Sequence, residues 1–87
     1  MYKLIKFYSD SCAPCKAMAP IVSAVTHERG IELVEMNIGT EEGLNMARTV
    51  GVRQVPTFVL EKDGKSVGIK VGAMPEEDFI KFVEGAS

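Results

Sequence analysis

The fold is decided by residues 2–19, YKLIKFYSDSCAPCKAMA. Residues 2–8 predict an apolar β-strand, and the residues from 13 onward predict a helix. Cys12 and Cys15, the two cysteines of the chain, lie where the strand gives way to the helix. A cysteine at a helix N-terminus meets free backbone N–H groups and the positive end of the helix dipole, which both favour the reactive thiolate. A second thiol one helical turn away can close a disulfide with the first, so the pair indicates a reversible redox switch.

The spacing of the two cysteines favours reactivity over a structural role. A disulfide across residues 12–15 closes so short a loop that its chain-entropy contribution is about 2 kcal/mol at best. A small secreted domain would spread several cysteines along its length. A closed zinc site needs four ligands and the pair supplies two, while His27 lies in the body of a helix and completes no site. We therefore expect no metal within one chain; an inert pair and a cluster shared between two chains are the alternatives.

Length, charge and hydropathy narrow the class of protein. With 87 residues, we expect residues 1–87 to form a single domain that is self-sufficient as a monomer. The net charge is −2 and the basic residues are scattered, which argues against nucleic acid as a partner. No apolar run approaches the ~20 residues that cross a bilayer, so no membrane association is expected. Met1 leads directly into the first strand without signal-peptide features, which predicts a cytoplasmic protein.

Hydrophobic periodicity and turn residues predict the remaining elements. The predicted order is βαβαββα, an α/β fold in which three helices flank a four-stranded mixed sheet. The crossover helix makes the first two strands parallel, and a hairpin adds an antiparallel pair. Thr40 is the expected N-cap of the second helix. After the strand at 2–8, the elements are predicted as helix 13–29, strand 31–38, helix 43–49, strand 57–61, strand 66–71 and a final helix that opens at Pro75.

Several segments of this chain resemble the thioredoxin family. The Cys-x-x-Cys motif at 12–15 lies in the family's element order. Residues 51–58, GVRQVPTF, resemble the family segment whose proline is cis and faces the disulfide. Residues 62–65, KDGK, resemble the following hairpin, and residues 71–73, VGA, resemble the small-residue loop beside the active site. The resemblance covers essentially the whole chain, although thioredoxins usually begin with an extra strand and helix before it.

The helix start and the resemblance together assign roles to the cysteine motif. Cys12, at the exposed edge of the helix start, is the expected nucleophile, and Cys15 is expected to resolve the mixed disulfide. Ala13 and Pro14 are expected to tune the redox potential, because proline in a first helical turn stiffens the helix start. Ser11 stands where the family commonly has tryptophan, and it is a candidate substrate contact.

The resemblance also implies a substrate-binding surface. Pro56 is expected to be cis and to influence the redox pair. The backbone groups of Val55 are expected to pair with an extended substrate segment, in the manner of strand addition. Gly72 and Ala73 are expected to leave space for the substrate backbone; the alternative is that they simply end a strand.

Two charged residues depart from the family pattern. Thioredoxins usually carry a buried aspartate on this first strand and a lysine on the next strand, and here those positions are Lys6 and Glu35. We hypothesise that Lys6 and Glu35 form an ion pair under the active site and that Glu35 takes the proton-transfer role for Cys15. The alternative is that both side chains reach water separately.

The sequence therefore predicts a thiol–disulfide oxidoreductase without a bound cofactor. It is expected to reduce disulfide-containing protein substrates and to be recharged by a thioredoxin-reductase-type enzyme. A glutaredoxin-like enzyme that uses glutathione is the closest alternative; the length fits, but residues 71–73 stand where glutaredoxins have Gly-Gly and an acidic residue. A non-catalytic binding subunit with this fold is an alternative of a different class.

Overall fold

The computed structural model describes residues 1–85, in which strands and helices follow the predicted βαβαββα order. Strands 1 and 2 are parallel, and the other two pairings are antiparallel. The fold class predicted from the sequence, a thioredoxin-like mixed sheet with three helices, is confirmed. The elements are β1 (Tyr2–Tyr8), α1 (Ala13–Glu28), β2 (Glu32–Asn37), α2 (Glu41–Val50), β3 (Thr57–Lys62), β4 (Lys65–Val71) and α3 (Glu76–Gly85), and the sheet order is β2-β1-β3-β4.

The boundary of α2 differs from the prediction by two residues. Thr40 is the N-cap as expected, and its hydroxyl accepts a hydrogen bond from the Gly43 N–H at 3.0 Å. The helix nevertheless begins at Glu41, because Glu41 and Glu42 form its first turn. They carry no apolar signal, although their negative charge suits the positive end of the helix dipole. The other boundaries agree with the prediction or differ by one residue; Pro75, for example, lies just before α3 rather than at its first position.

The helices cover the two faces of the sheet unequally. Helices α1 and α3 pack over one face, where the core cluster combines strand and helix side chains. The rings of Phe58 in β3 and Phe79 in α3 meet edge to face with centroids 5.3 Å apart. Helix α2 covers the other face through Ala47, but this second cluster ends at β3. On β4, Ile69 and Val71 are therefore each 54% exposed.

Candidate functional site

The two cysteines form a disulfide at the start of α1. Cys12 is the N-cap of the helix, and its Sγ accepts a hydrogen bond from the Cys15 N–H at 3.1 Å. The Cys12 N–H in turn donates to the Ser9 carbonyl at 3.2 Å, which fixes the turn between β1 and α1. The Cα atoms of the pair lie 5.2 Å apart. The sulfur of Cys12 thus occupies the position where the helix N-terminus stabilises negative charge.

The two cysteines differ in their burial. Cys12 is 9% exposed and Cys15 is 3% exposed in this oxidised form. Pro14 lies in the first turn of α1, where a residue without an N–H costs no helical hydrogen bond. Ser11, Ala13 and Pro14 are exposed around the disulfide. Access to the pair is therefore through Cys12 and its neighbours, with Cys15 beneath.

Hydrogen bonds tie the proline segment 54–57 to the end of β4. The peptide bond between Val55 and Pro56 is cis. The Pro56 carbonyl accepts a hydrogen bond from the Gly72 N–H at 2.8 Å, and Gly72 has a φ of +94°, in the left-handed region that favours glycine. The Thr57 hydroxyl, which is buried, donates to the Gln54 carbonyl at 2.6 Å. The Gly72 bond thus holds Pro56 to the end of β4, and the Thr57 bond links the two ends of the segment to each other.

A third contact joins the loop after β4 to the cysteine helix. The Met74 N–H lies 3.4 Å from the Sδ of Met18, which is buried in α1 one turn beyond Cys15. The structure thus connects the helix of Cys12 and Cys15, the 72–74 loop and the proline segment. Among the residues expected to bind substrate, Ser11 and Ala73 are exposed and Val55 is half-buried. Their roles in binding stay predictions.

The ion pair expected between Lys6 and Glu35 is present. The two residues are neighbours in the register of β1 and β2, and Lys6 Nζ lies 3.1 Å from Glu35 Oε2. The Lys6 side chain is 5% exposed, whereas that of Glu35 is 51% exposed. The Lys6 ammonium also lies 5.4 Å from the centroid of the Tyr8 ring. The alternative in which both side chains reach water separately is wrong.

A single cavity borders both this ion pair and Cys15. Its volume is about 190 Å³, and its wall includes Cys15, both members of the ion pair and further charged side chains. Cys15 is only 3% exposed, and it is one of the residues that line this space. Asp10, Lys16 and Glu35 in its wall are exposed, so this space is in contact with solvent. Its lining consists of Lys6, Tyr8, Ser9, Asp10, Cys15, Lys16, Ala19 and Glu35.

Two positioning residues were not identified from the sequence. The Thr57 hydroxyl closes the proline segment, although the sequence pattern marks Thr57 only as the start of β3. The Asn37 side chain donates to the Asp10 carboxylate at 3.3 Å and accepts from the Gly39 N–H at 2.8 Å. Both β1 and β2 end at the same edge of the sheet because they are parallel, and this topology was the available signal for the contact between Asn37 and Asp10.

The described part of the chain contains neither a metal-binding cluster nor a helix that could span a membrane. Within residues 1–85, no group of three or more His, Cys, Asp or Glu side chains is arranged to hold a metal ion. None of the helices formed by these residues has the length and hydrophobicity needed to cross a membrane.

Comparisons with known proteins place this arrangement in a family. The family model for thioredoxin matches residues 2–85. The chain is 32% identical over 81 residues to the chloroplastic M-type thioredoxin of Chlamydomonas reinhardtii, covering 93% of this chain and 58% of that protein. It is 32% identical over 83 residues to a thioredoxin of Synechocystis, covering 93% of this chain and 76% of that protein. The chain thus spans between about half and three-quarters of the length of curated relatives such as these.

Solved structures agree with the sequence relatives. A mutant thioredoxin from Halobacterium salinarum superimposes with a TM-score of 0.87 at 30% identity, covering 98% of this chain and 74% of that one. Mitochondrial thioredoxin 3 from Saccharomyces cerevisiae, in its oxidised form, gives a TM-score of 0.84 at 29% identity, covering 97% and 77%. With the cysteine motif, the proline segment and the sheet order all in place, the chain belongs to the thioredoxin family.

Proposed function

We propose that this chain is a thiol–disulfide oxidoreductase that reduces disulfide bonds in proteins through Cys12 and Cys15. The observation that carries the proposal is the disulfide at the start of α1, with Cys12 as the N-cap and Cys15 beneath it. A sulfur at this position is stabilised as a thiolate and is accessible to a partner disulfide. Membership of the thioredoxin family supports the same reaction.

The cycle consists of two exchanges. The Cys12 thiolate attacks one sulfur of the substrate disulfide, forming a mixed disulfide and releasing the other substrate sulfur as a thiolate, which takes a proton from water. The Cys15 thiol then loses its proton and attacks the Cys12 sulfur, breaking the mixed disulfide and releasing the second substrate thiol. The substrate gains two electrons and two protons, and the chain is left with its Cys12–Cys15 disulfide.

The substrate is an extended segment that lies against the proline segment and the 72–74 loop. Val55 offers backbone groups for strand-like pairing, and Gly72 and Ala73 leave space for the substrate backbone. The hydrogen bonds to Pro56 and from Thr57 support this role, because they fix the geometry before a substrate arrives. Ser11 supplies a small polar contact in place of a large aromatic side chain.

The proposed partners follow from the same chemistry. An external dithiol donor of the thioredoxin-reductase type returns two electrons to the disulfide, and the chain itself needs no bound cofactor. Glutathione is not favoured as the donor, because the family model is that of thioredoxin. We place the protein, as a monomer with a single domain over residues 1–87, in a reducing compartment such as the cytoplasm; its curated relatives include chloroplastic and cyanobacterial thioredoxins.

The test is reduction of a disulfide-bonded protein such as insulin, with a dithiol as the terminal donor. The unmodified chain should turn over, whereas Cys12→Ser should lose turnover and form no mixed disulfide. Cys15→Ser should also lose turnover but should accumulate a one-to-one mixed disulfide that mass spectrometry detects. Ser23→Ala changes an exposed residue of α1 and controls for effects of mutagenesis and purification; its turnover should equal that of the unmodified chain. Turnover that survives Cys12→Ser would contradict the proposal and support a non-catalytic binding subunit.

A further inference from the structure

Four charged side chains line the cavity that Cys15 also lines, and the exchange steps described above assign a role to none of them. Lys6 in β1, Lys16 in α1, Glu35 in β2 and Asp10 in the loop after β1 all border the space that Cys15 borders. Tyr8 is the remaining titratable group of the lining. The arrangement raises the question of which of these groups acts on Cys15 when it must become a thiolate.

Burial separates Lys6 from the other charges. Its side chain is 5% exposed, while Glu35 is about half exposed and Asp10 and Lys16 are exposed. The interaction between charges is screened by water and salt, so exposed groups act weakly and a buried ammonium acts strongly on its neighbours. Lys6 is held in place by Glu35 at 3.1 Å and by the ring of Tyr8.

The sign of the buried charge determines whether it can accept a proton from Cys15 or stabilise the Cys15 thiolate. A carboxylate in this position could accept a proton from the Cys15 thiol. An ammonium cannot accept that proton, but it stabilises the thiolate that forms when the proton leaves. The half-exposed Glu35 carboxylate is already engaged with Lys6 and opposes a thiolate by its own negative charge.

We propose that Lys6 is the positioning residue of the resolving step: its buried ammonium stabilises the Cys15 thiolate across the shared cavity, and the proton leaves to water through that cavity. Glu35 fixes the ammonium in place and does not take the proton. This inference rests on the proposed oxidoreductase function and replaces the hypothesis that Glu35 transfers the proton. The Cys15 thiolate then forms the bond to Cys12 Sγ, and the substrate sulfur leaves with the electron pair of the broken bond.

The test titrates Cys15 alone, in a Cys12→Ser background, by the ultraviolet absorbance of the thiolate against pH. Lys6→Met should raise the pKa of Cys15 by about one unit, because an adjacent positive charge is lost. Glu35→Gln should lower the pKa of Cys15 by roughly half a unit, because a negative charge is removed while the new amide oxygen still accepts a hydrogen bond from the ammonium. Lys16→Met is the matched control: it removes a lysine that borders the same cavity but is exposed, and its effect should be roughly 0.3 unit or less.

Two results would overturn the proposal. The first is a Cys15 pKa that moves no more in Lys6→Met than in Lys16→Met. The second is a Glu35→Gln variant that raises this pKa or slows resolution of a preformed mixed disulfide, as removal of a proton acceptor would. Should Lys6→Met fail to fold, the Lys6→Met/Glu35→Gln variant decides the question, with an expected net rise of roughly half a unit. Because the titration needs no turnover, its outcome is independent of the insulin assay that tests the proposed function.

Discussion

The two sides of the disulfide are built from different interactions. On the β3 side, backbone hydrogen bonds and the Thr57 hydroxyl fix the proline segment 54–57 next to Gly72. On the β2 side, the Lys6–Glu35 ion pair and Cys15 border the same cavity of about 190 Å³. Neutral, directional contacts hold a surface in shape, whereas a buried charge acts on protonation. The difference indicates that substrate binding and proton release can be altered independently.

The largest effect on stability is expected from a substitution that disrupts the contact between α2 and the end of β2. A Cβ atom added at Gly43 would lie 1.9 Å from the carbonyl oxygen of Asn37, the residue whose side chain holds Asp10. Backbone must move to relieve this clash, so Gly43→Ala should reduce the free energy of unfolding by about 3 kcal/mol. Denaturant titration measures the change.

The control for Gly43→Ala is Gly64→Ala in the β3–β4 turn. Gly64 has a φ of +84° and no other atom within 4 Å of an added Cβ, so only backbone strain of about 1 kcal/mol is expected. Equal losses in the two variants would show that close contact between α2 and β2 does not stabilise this side.

The β3 side is tested with Thr57→Val, which keeps the shape of the side chain and removes its hydroxyl. The Gln54 carbonyl would lose its donor, which should cost about 1–2 kcal/mol of stability and raise the KM for a protein disulfide. Thr26→Val is the matched control, because Thr26 is equally buried and its hydroxyl donates to the Val22 carbonyl within α1. A comparable rise in KM for Thr26→Val would refute a specific role of Thr57 in binding.

The ion pair of the β2 side is tested for stability by a double-mutant cycle. Lys6→Met leaves Glu35 without its partner, and Glu35→Gln leaves the buried ammonium with a neutral one. We expect a coupling free energy of about 1 kcal/mol, reduced by the exposure of Glu35. Chemical denaturation of the four proteins gives this value. Additive losses would mean that the two charges do not stabilise each other.

The smallest effect on stability is expected from a substitution in an exposed ion pair. The Met1 amino group hydrogen-bonds to the Asp63 carboxylate, and this contact lowers the pKa of Asp63. A lowered pKa in the folded state adds stability above the unfolded pKa of about 3.9, and this stability is lost as the pH falls through the folded value. In Asp63→Asn, the free energy of unfolding of the 87-residue chain should therefore fall less steeply as the pH is lowered into the acid range.

Salt should distinguish this exposed pair from the Lys6–Glu35 pair, in which Lys6 is buried and Glu35 is about half exposed. High ionic strength should remove most of the difference between Asp63→Asn and the unmodified chain, since exposed charges are screened. The coupling between Lys6 and Glu35 should persist in the same salt. Equal sensitivity of the two pairs to salt would contradict the distinction drawn from their burial.

Local signals were sufficient to predict much of the fold and the reactive pair. The strand at 2–8 and the cysteine motif are contiguous in sequence, so their geometry follows from neighbouring residues. The start of α2 was misplaced because Glu41 and Glu42 stabilise it by charge and carry no apolar periodicity. The cis bond before Pro56 came from the resemblance alone, since cis bonds are a small minority even before proline.

Long-range contacts account for part of what the sequence did not predict. Asn37 meets Asp10 because two parallel strands end side by side. The bond from the Thr57 hydroxyl to the Gln54 carbonyl is local instead, and it depends on the turn of the proline segment between them. The pairing of Lys6 with Glu35 was predicted, but their unequal burial was not. Our proposal that Lys6, and not Glu35, acts on Cys15 rests on that inequality.

The central claim is that the Cys12–Cys15 pair works as a reductant of protein disulfides. The most direct measurement is its equilibrium reduction potential, determined by titration against glutathione and dithiothreitol buffers of known poise. A potential between about −250 and −290 mV, in the range of thioredoxins and below that of glutaredoxins, is the predicted result. A potential at or above about −220 mV would place the pair with glutathione-coupled or oxidising proteins and would contradict the account.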